Sequence, residues 1–160
     1  MSISVGDRIP STTFSKIDAN QPQPISTDQI FPEKKVVLVA VTGAFTPDCS
    51  NDHLPGFVQN ADKIKQQGID EIVCISVNDP FVMDAWSKAK NADNKILMLA
   101  DTEGDFTKQM GMEADVSDNG LGTRSQRYAA IVEDGVVKHL EVDEMGKVEK
   151  TTADKILEKL

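Results

Sequence analysis

Thr42–Gly56 reads TGAFTPDCSNDHLPG and contains the side chain best suited to nucleophilic chemistry, Cys49. The segment follows an apolar β-type run, Lys35–Val41 (KVVLVAV), and reactive loops of open α/β sheets lie just beyond the C-terminal ends of such strands. Pro47 sets a sharp entry and places Cys49 in the first turn of a following helix. Unpaired N–H groups and the positive end of the helix dipole favour an anion there. A thiol so placed ionises more readily than a free cysteine, with its pKa of about 8.5, and the thiolate is the nucleophilic form. Thr46 adds a hydroxyl that can donate to a bound oxygen or to the sulfur. Asp48, Asp52 and the net charge of −9 all oppose a thiolate, so a cation must come from elsewhere in the chain. Arg124 and Arg127, in Gly122–Ala129 (GTRSQRYA), lie where a loop meets the next strand and can hold a thiolate and an oxygen in one rigid fork. The plainer reading of Cys49 is a small, half-buried residue without a role.

His53 falls on roughly the same helix face as Cys49, and a Cys–His pair invites comparison with a cysteine hydrolase. No orienting Asn or Asp signature accompanies it and Pro55 bends the helix just beyond, so a structural hydrogen bonder is the reading preferred for His53. Cys74, the second of the two cysteines, sits mid-run in Glu71–Val77 (EIVCISV) and reads as a packed core residue. A bridge to Cys49 would need Cα atoms within about 7 Å, which a mid-strand position does not offer without local unfolding. The two cysteines form no CxxC pair and no metal-type cluster, which argues against a dithiol reductase and against a zinc site. No metal and no cofactor is expected.

The elements that must position these groups are legible in outline. Lys35–Val41, Glu71–Val77 and Ile96–Ala100 are continuous apolar runs, as expected of central strands covered on both faces. Between them Asp79–Ala89 has helical spacing, with Asp79 as cap, Pro80 in the first turn, and Val82, Ala85, Trp86 and Ala89 on one face. Arg127–Val132 and Val136–Val142 flank Asp134-Gly135, a two-residue hairpin signal. Thr151–Leu160 reads as a closing helix, with Thr151 and Asp154 resembling a capping box. Gln21–Pro24 (QPQP) reads as a surface turn, and His139 as a surface residue of a hairpin strand. Strand–helix alternation followed by an antiparallel hairpin and a last helix predicts an α/β, thioredoxin-like fold, with a central mixed β-sheet flanked by helices.

The chain has 160 residues, room for one domain and one core, 1–160. With 39% hydrophobic and 27% charged residues it has the composition of an ordinary water-soluble globular protein. A charge of −9 and a pI near 4.6 repel nucleic acid and anionic membranes, so neither is an expected partner. No apolar run approaches the ~20 residues of a membrane span. MSISVGDRIP lacks a basic-then-apolar leader pattern, so reduced thiols in a cytoplasmic setting are the expectation. The C-terminal Glu-Lys-Leu is too loose a match to a peroxisomal address to carry weight.

GAFTPDCSNDHLPGF closely resembles the active-site loop of the type-5 peroxiredoxins, within the alkyl hydroperoxide reductase and redoxin group. VGDRIP, ISVNDPFVMDAW, LADTEGDF, RSQRYA, VEDGVVKHLEV and TADKILEKL fall, in order, where that subfamily has similar segments, so the likeness covers nearly the whole chain. It implies a thiol peroxidase acting on hydrogen peroxide and organic hydroperoxides, with Cys49 as the peroxidatic cysteine passing through a sulfenic acid. It implies further that Thr46 donates to the peroxide, Pro47 shields the sulfur, Arg127 stabilises the thiolate and polarises the O–O bond, and Gly43 lies in the segment that cups the substrate. Arg124 looks like a secondary position. Thr42 stands where the family commonly has Pro. Many members carry a resolving cysteine near the C-terminus, whereas Glu144–Thr152 (EMGKVEKTT) has none. That departure implies a one-cysteine cycle with an external thiol as reductant: glutathione, glutaredoxin or thioredoxin. A homodimer is also implied. The rival from another class is a peroxide sensor that uses the same cysteine to switch a partner interface.

Overall fold

The computed structural model describes residues 2–160. The three apolar runs pair side by side: β3 (Lys35–Ala40) is parallel to β4 (Glu71–Ser76), and β4 is parallel to β5 (Leu97–Ala100). The hairpin strands β8 (Tyr128–Glu133) and β9 (Val136–Val142) continue the sheet antiparallel beyond β3. On the far side lie β1 (Thr13–Asp18) and β2 (Gln21–Ser26), giving seven strands in the order β2-β1-β5-β4-β3-β8-β9. Asp134 and Gly135, at φ of 49° and 76°, make the hairpin turn, the conformation for which Asp-Gly is favoured. A separate two-stranded ribbon joins β6 (Glu113–Asp115) to β7 (Thr123–Ser125).

Both faces of the sheet are covered, which explains the unbroken apolar character of its central strands. Side chains alternate between two layers. Val37, Val39, Ile72 and Cys74 face one, and Val36, Leu38, Val73 and Ile75 face the other. The first layer is filled by α2 (Leu54–Gln59), α3 (Ala61–Gln66), α4 (Pro80–Ala89) and α6 (Ala153–Leu157), through Leu54, Phe57, Ile64, Trp86 and Ile156. The second is filled by α1 (Thr27–Ile30) and α5 (Asp105–Gln109), through Ile30 and Phe106, with Phe14 and Tyr128. In α4 the Asp79 carboxylate accepts from the N–H of Val82, as its capping position requires.

Three expectations from sequence are corrected. The buried face of α4 is Met83, Trp86 and Ser87, whereas Ala85 and Ala89 are exposed. Gln21–Pro24 is not a turn: Pro22 and Pro24 belong to β2, paired with Ile17 and Ser15. The strand lies at the sheet edge, where a missing N–H costs no ladder bond. The cap of α6 is Thr152, whose side chain accepts from the N–H of Lys155. Thr151 is unavailable for that task because its hydroxyl is committed to Asp143 and His53.

Candidate active site

The chain leaves β3 into Val41–Pro47, a loop braced from the neighbouring strand. Val41 N–H donates to Ile75 O, and Ala44 N–H donates to Asn78 Oδ1 at 3.0 Å, which also accepts from Ser76 Oγ at 2.6 Å. Phe45 holds φ at 64°, an uncommon conformation for a bulky residue, and leaves its ring half exposed, 6.5 Å from that of Trp86. This turn precedes Thr46 and Pro47. The Thr46 hydroxyl donates to Gly43 O at 2.6 Å. Gly43 is tightly enclosed: a Cβ would stand 3.1 Å from Thr46 Cγ2 and 3.2 Å from Arg124 Nη1, so both side chains would have to give by a few tenths of an ångström.

Asp48–His53 then forms a π-helical turn leading directly into α2. Leu54 N–H donates to Cys49 O, one residue wider than α-helical spacing. Pro55 explains the wide turn, since it has no N–H to give and its ring crowds the carbonyl of the preceding turn. Trp86 Nε1–H donates to Ser50 Oγ at 2.8 Å, both groups being buried, and pins the turn to α4. Cys49 is fully buried. Asp52 is exposed and Asp48 half-buried, so neither carboxylate is enclosed with the sulfur.

Arg127 enters from the neighbouring chain segment, just before β8. Its Nη1 donates to Cys49 Sγ at 3.1 Å, and also to His53 Nδ1 at 3.1 Å; its Nε–H donates to Lys147 O at 3.2 Å. Nη2 has no protein partner among the described residues. Arg124 does not join it at the sulfur: its Nε–H donates to Leu121 O, and its Nη1 lies against Gly43. Of the residues expected from sequence, Cys49 and Arg127 are in contact. Thr46, Pro47 and Arg127 line one cavity of about 390 Å³ with Thr42, Asp48, Val116, Asn119, Leu121, Met145 and Gly146.

Three residues that sequence reasoning left out of the site complete its surroundings. His53 Nε2 meets Thr151 O at 2.9 Å and Thr151 Oγ1 at 3.1 Å, and Thr151 Oγ1–H donates to Asp143 Oδ2 at 2.7 Å. Asp143 also accepts from the N–H groups of Glu149, Lys150 and Thr151, and its own N–H donates to Arg127 O at 3.0 Å. Burial alone would push the Asp143 carboxyl up, but the Thr151 hydroxyl and these three N–H groups outweigh it and hold it below the usual range. Burial is also the largest influence on His53, lowering its pKa from 6.5 to about 4; the Thr151 carbonyl opposes this and the Arg127 charge assists it. His53 is therefore neutral, which excludes an imidazolium partner for Cys49 near pH 7. Only His53 carried a signal in sequence, its place on the Cys49 face.

Cys74 is buried in β4, between Val39 and Met98, in the same layer as Cys49. Burial first, then the neighbouring Cys49, push its thiol well up. Among the described residues no group of three or more His, Cys, Asp or Glu side chains could hold a metal ion, and no helix is long and apolar enough to cross a membrane.

A buried thiol against a guanidinium, beyond the end of a central strand in a sheet of this order, defines a thiol-centred redox protein of thioredoxin-like fold. The family model described as Redoxin matches residues 4–157, and the chain belongs to that family, among its peroxiredoxins. It is 44% identical over 159 residues to peroxiredoxin-2B of Arabidopsis thaliana, covering 99% of this chain and 98% of the relative. The structure of reduced Prx3 from Vibrio vulnificus in complex with H2O2 is 45% identical, with a TM-score of 0.93, over 98% of this chain and 95% of that one. Peroxiredoxin 5 from Alvinella pompejana is 37% identical, with a TM-score of 0.84, over 97% and 96%.

Proposed function

We propose that this chain is a thiol peroxidase that reduces hydrogen peroxide and organic hydroperoxides at Cys49. The observation that carries the reading is the 3.1 Å contact from Arg127 Nη1 to Cys49 Sγ beside an open cavity. The thiolate sulfur attacks one peroxide oxygen and an S–O bond forms. The O–O bond breaks, and its electron pair leaves on the other oxygen, which takes a proton to become water or an alcohol. Sulfur is oxidised to sulfenic acid as the peroxide is reduced. Charge moves from sulfur onto the departing oxygen, so a donor already aimed at the sulfur can follow it.

Arg127 is assigned that part, with Nη2 free to meet a peroxide oxygen. Thr46 is assigned to substrate binding, since its hydroxyl can exchange Gly43 O for a bound oxygen. Pro47 is assigned to the shielding wall and Gly43 to the close approach of loop and substrate. Arg124 serves the site through the Gly43 loop. The apolar wall of Val116, Leu121 and Met145 suits the carbon tail of an organic hydroperoxide.

The sulfenic acid is returned by external thiols: the first displaces water to give a mixed disulfide, and the second releases the Cys49 thiolate. A one-cysteine cycle is supported by Cys74, the only other thiol, being buried and held in β4 with its pKa raised. Glutathione, glutaredoxin or thioredoxin would serve as reductant, and a reducing, cytoplasmic setting and a single domain complete the reading. A homodimer fits the exposed apolar rings of Phe45 and Phe81. The test is hydroperoxide consumption with a glutathione–glutaredoxin or thioredoxin system. Cys49→Ser should abolish turnover and Cys74→Ser should keep it; turnover by Cys49→Ser would refute the assignment.

A further inference from the structure

The cavity beside Cys49 has two charged lining residues, Arg127 and Asp48; every other lining residue is neutral. Arg127 is 4% exposed, and its Nη1 is committed to the Cys49 sulfur and to His53. With the sulfur as thiolate, these two opposite charges offset one another at hydrogen-bond distance. Asp48 is half-buried, and its carboxylate enters no ion pair among the described residues. The nearby cations are engaged elsewhere. Lys147 Nζ pairs with Glu144 at 3.2 Å, and Arg124 packs against Gly43 without lining the cavity. The space that admits substrate therefore carries one uncompensated negative charge.

We propose that Asp48 is a specificity-determining residue, whose carboxylate makes the cavity select uncharged hydroperoxides over those that carry a carboxylate of their own. The reacting oxygens must reach the Cys49 sulfur, so the rest of a short substrate lies in the cavity that Asp48 lines, along Val116, Leu121 and Met145. Carbon gains from burial there. A second carboxylate loses water and meets a like charge instead. Hydrogen peroxide and alkyl hydroperoxides are neutral and avoid that repulsion. Any effect of Asp48 on the thiolate itself is common to every substrate and cancels when two substrates are compared. The assignment rests on the reading of Cys49 as the peroxide-reactive thiol.

The test compares single-turnover Cys49 oxidation by a short-chain alkyl hydroperoxide bearing a terminal carboxylate with oxidation by its methyl ester. Each rate is divided by the rate with free cysteine. At low ionic strength the ester should win by about fivefold to tenfold, the scale for two like charges a few ångströms apart in partly hydrated surroundings. Added salt should narrow that preference. Asp48→Asn keeps the shape of the side chain and should bring the two rates within about twofold of each other. Asp52→Asn removes the same charge from an exposed position outside the cavity, and should shift the ratio by less than about twofold. A ratio unchanged in Asp48→Asn, as expected of a carboxylate that serves only the helix dipole, would overturn the proposal. So would an equal shift in Asp52→Asn, which would assign the effect to net charge. Iodoacetate and iodoacetamide form a second pair that needs no peroxide, and their ratio at Cys49 should follow the same order. Should neither hydroperoxide oxidise wild-type Cys49, the peroxidase reading falls, and the alkylation ratio alone then decides whether Asp48 sets the charge preference of the cavity.

Discussion

Arg127 Nη1 stands 3.1 Å from Cys49 Sγ and 3.1 Å from His53 Nδ1, so one nitrogen ties the Cys49 sulfur to a buried imidazole. The sulfur lies on the turn after β3 and the guanidinium on the segment before β8, two strands that are antiparallel neighbours. Their adjacency in the sheet brings a cation to a thiol that local sequence surrounds with carboxylates.

Removing that cation should remove most of the rate. Arg127→Gln is expected to slow Cys49 oxidation roughly 10²–10³-fold, the scale for losing one preorganised donor. Arg127→Lys should recover little, since a point-like ammonium cannot serve the sulfur, His53 and Lys147 O together. Stopped-flow oxidation kinetics under hydroperoxide excess measure this; Arg127→Gln within about threefold of wild type would contradict it.

Acid should cost stability through His53. Its pKa is about 4 in the fold against 6.5 when unfolded, so between those values the unfolded chain binds the extra proton. Stability is full above pH 6.5 and falls as pH drops toward 4, by about 3 kcal/mol for complete loss. Urea denaturation across this range should show a steeper decline for wild type than for His53→Asn. Equal slopes would show that His53 is not held neutral.

The π-helical turn should depend on a bond remote from the chemistry. Ser50→Ala leaves the buried Trp86 N–H without an acceptor, at a cost of about 1–3 kcal/mol. Denaturant midpoints measure the loss, and an unchanged midpoint would refute it.

Replacement of Cys74 should be nearly silent in turnover. Cys74→Ala removes one buried sulfur from the layer beneath Cys49, costing about 1–2 kcal/mol, and should leave turnover with external thiol within about twofold of wild type. A steady-state assay with glutathione as reductant decides it; loss of turnover would make Cys74 a participant.

How much of this was legible in sequence followed the range of each interaction. Cys49, Thr46 and Pro47 lie in one short segment whose chemistry is local, and the Arg127 segment resembles the family's. The three parallel strands were visible because burial on both faces leaves unbroken apolar runs. β2 was hidden because Pro22 and Pro24 read as a turn, and only its place at the sheet edge makes them tolerable. The Asp143–Thr151–His53 chain was hidden for a different reason. His53 and Thr151 are distant in sequence, and the capping role read for Thr151 passes to Thr152 because tertiary hydrogen bonds occupy the Thr151 hydroxyl.

The most direct test of the central claim is intact and peptide mass spectrometry after one equivalent of an organic hydroperoxide, with and without a sulfenic-acid trap. The expected result is a trapped adduct on Cys49 with Cys74 still a free thiol. No rapid modification of Cys49 would contradict the peroxidase assignment, and a Cys49–Cys74 bridge would contradict the one-cysteine cycle.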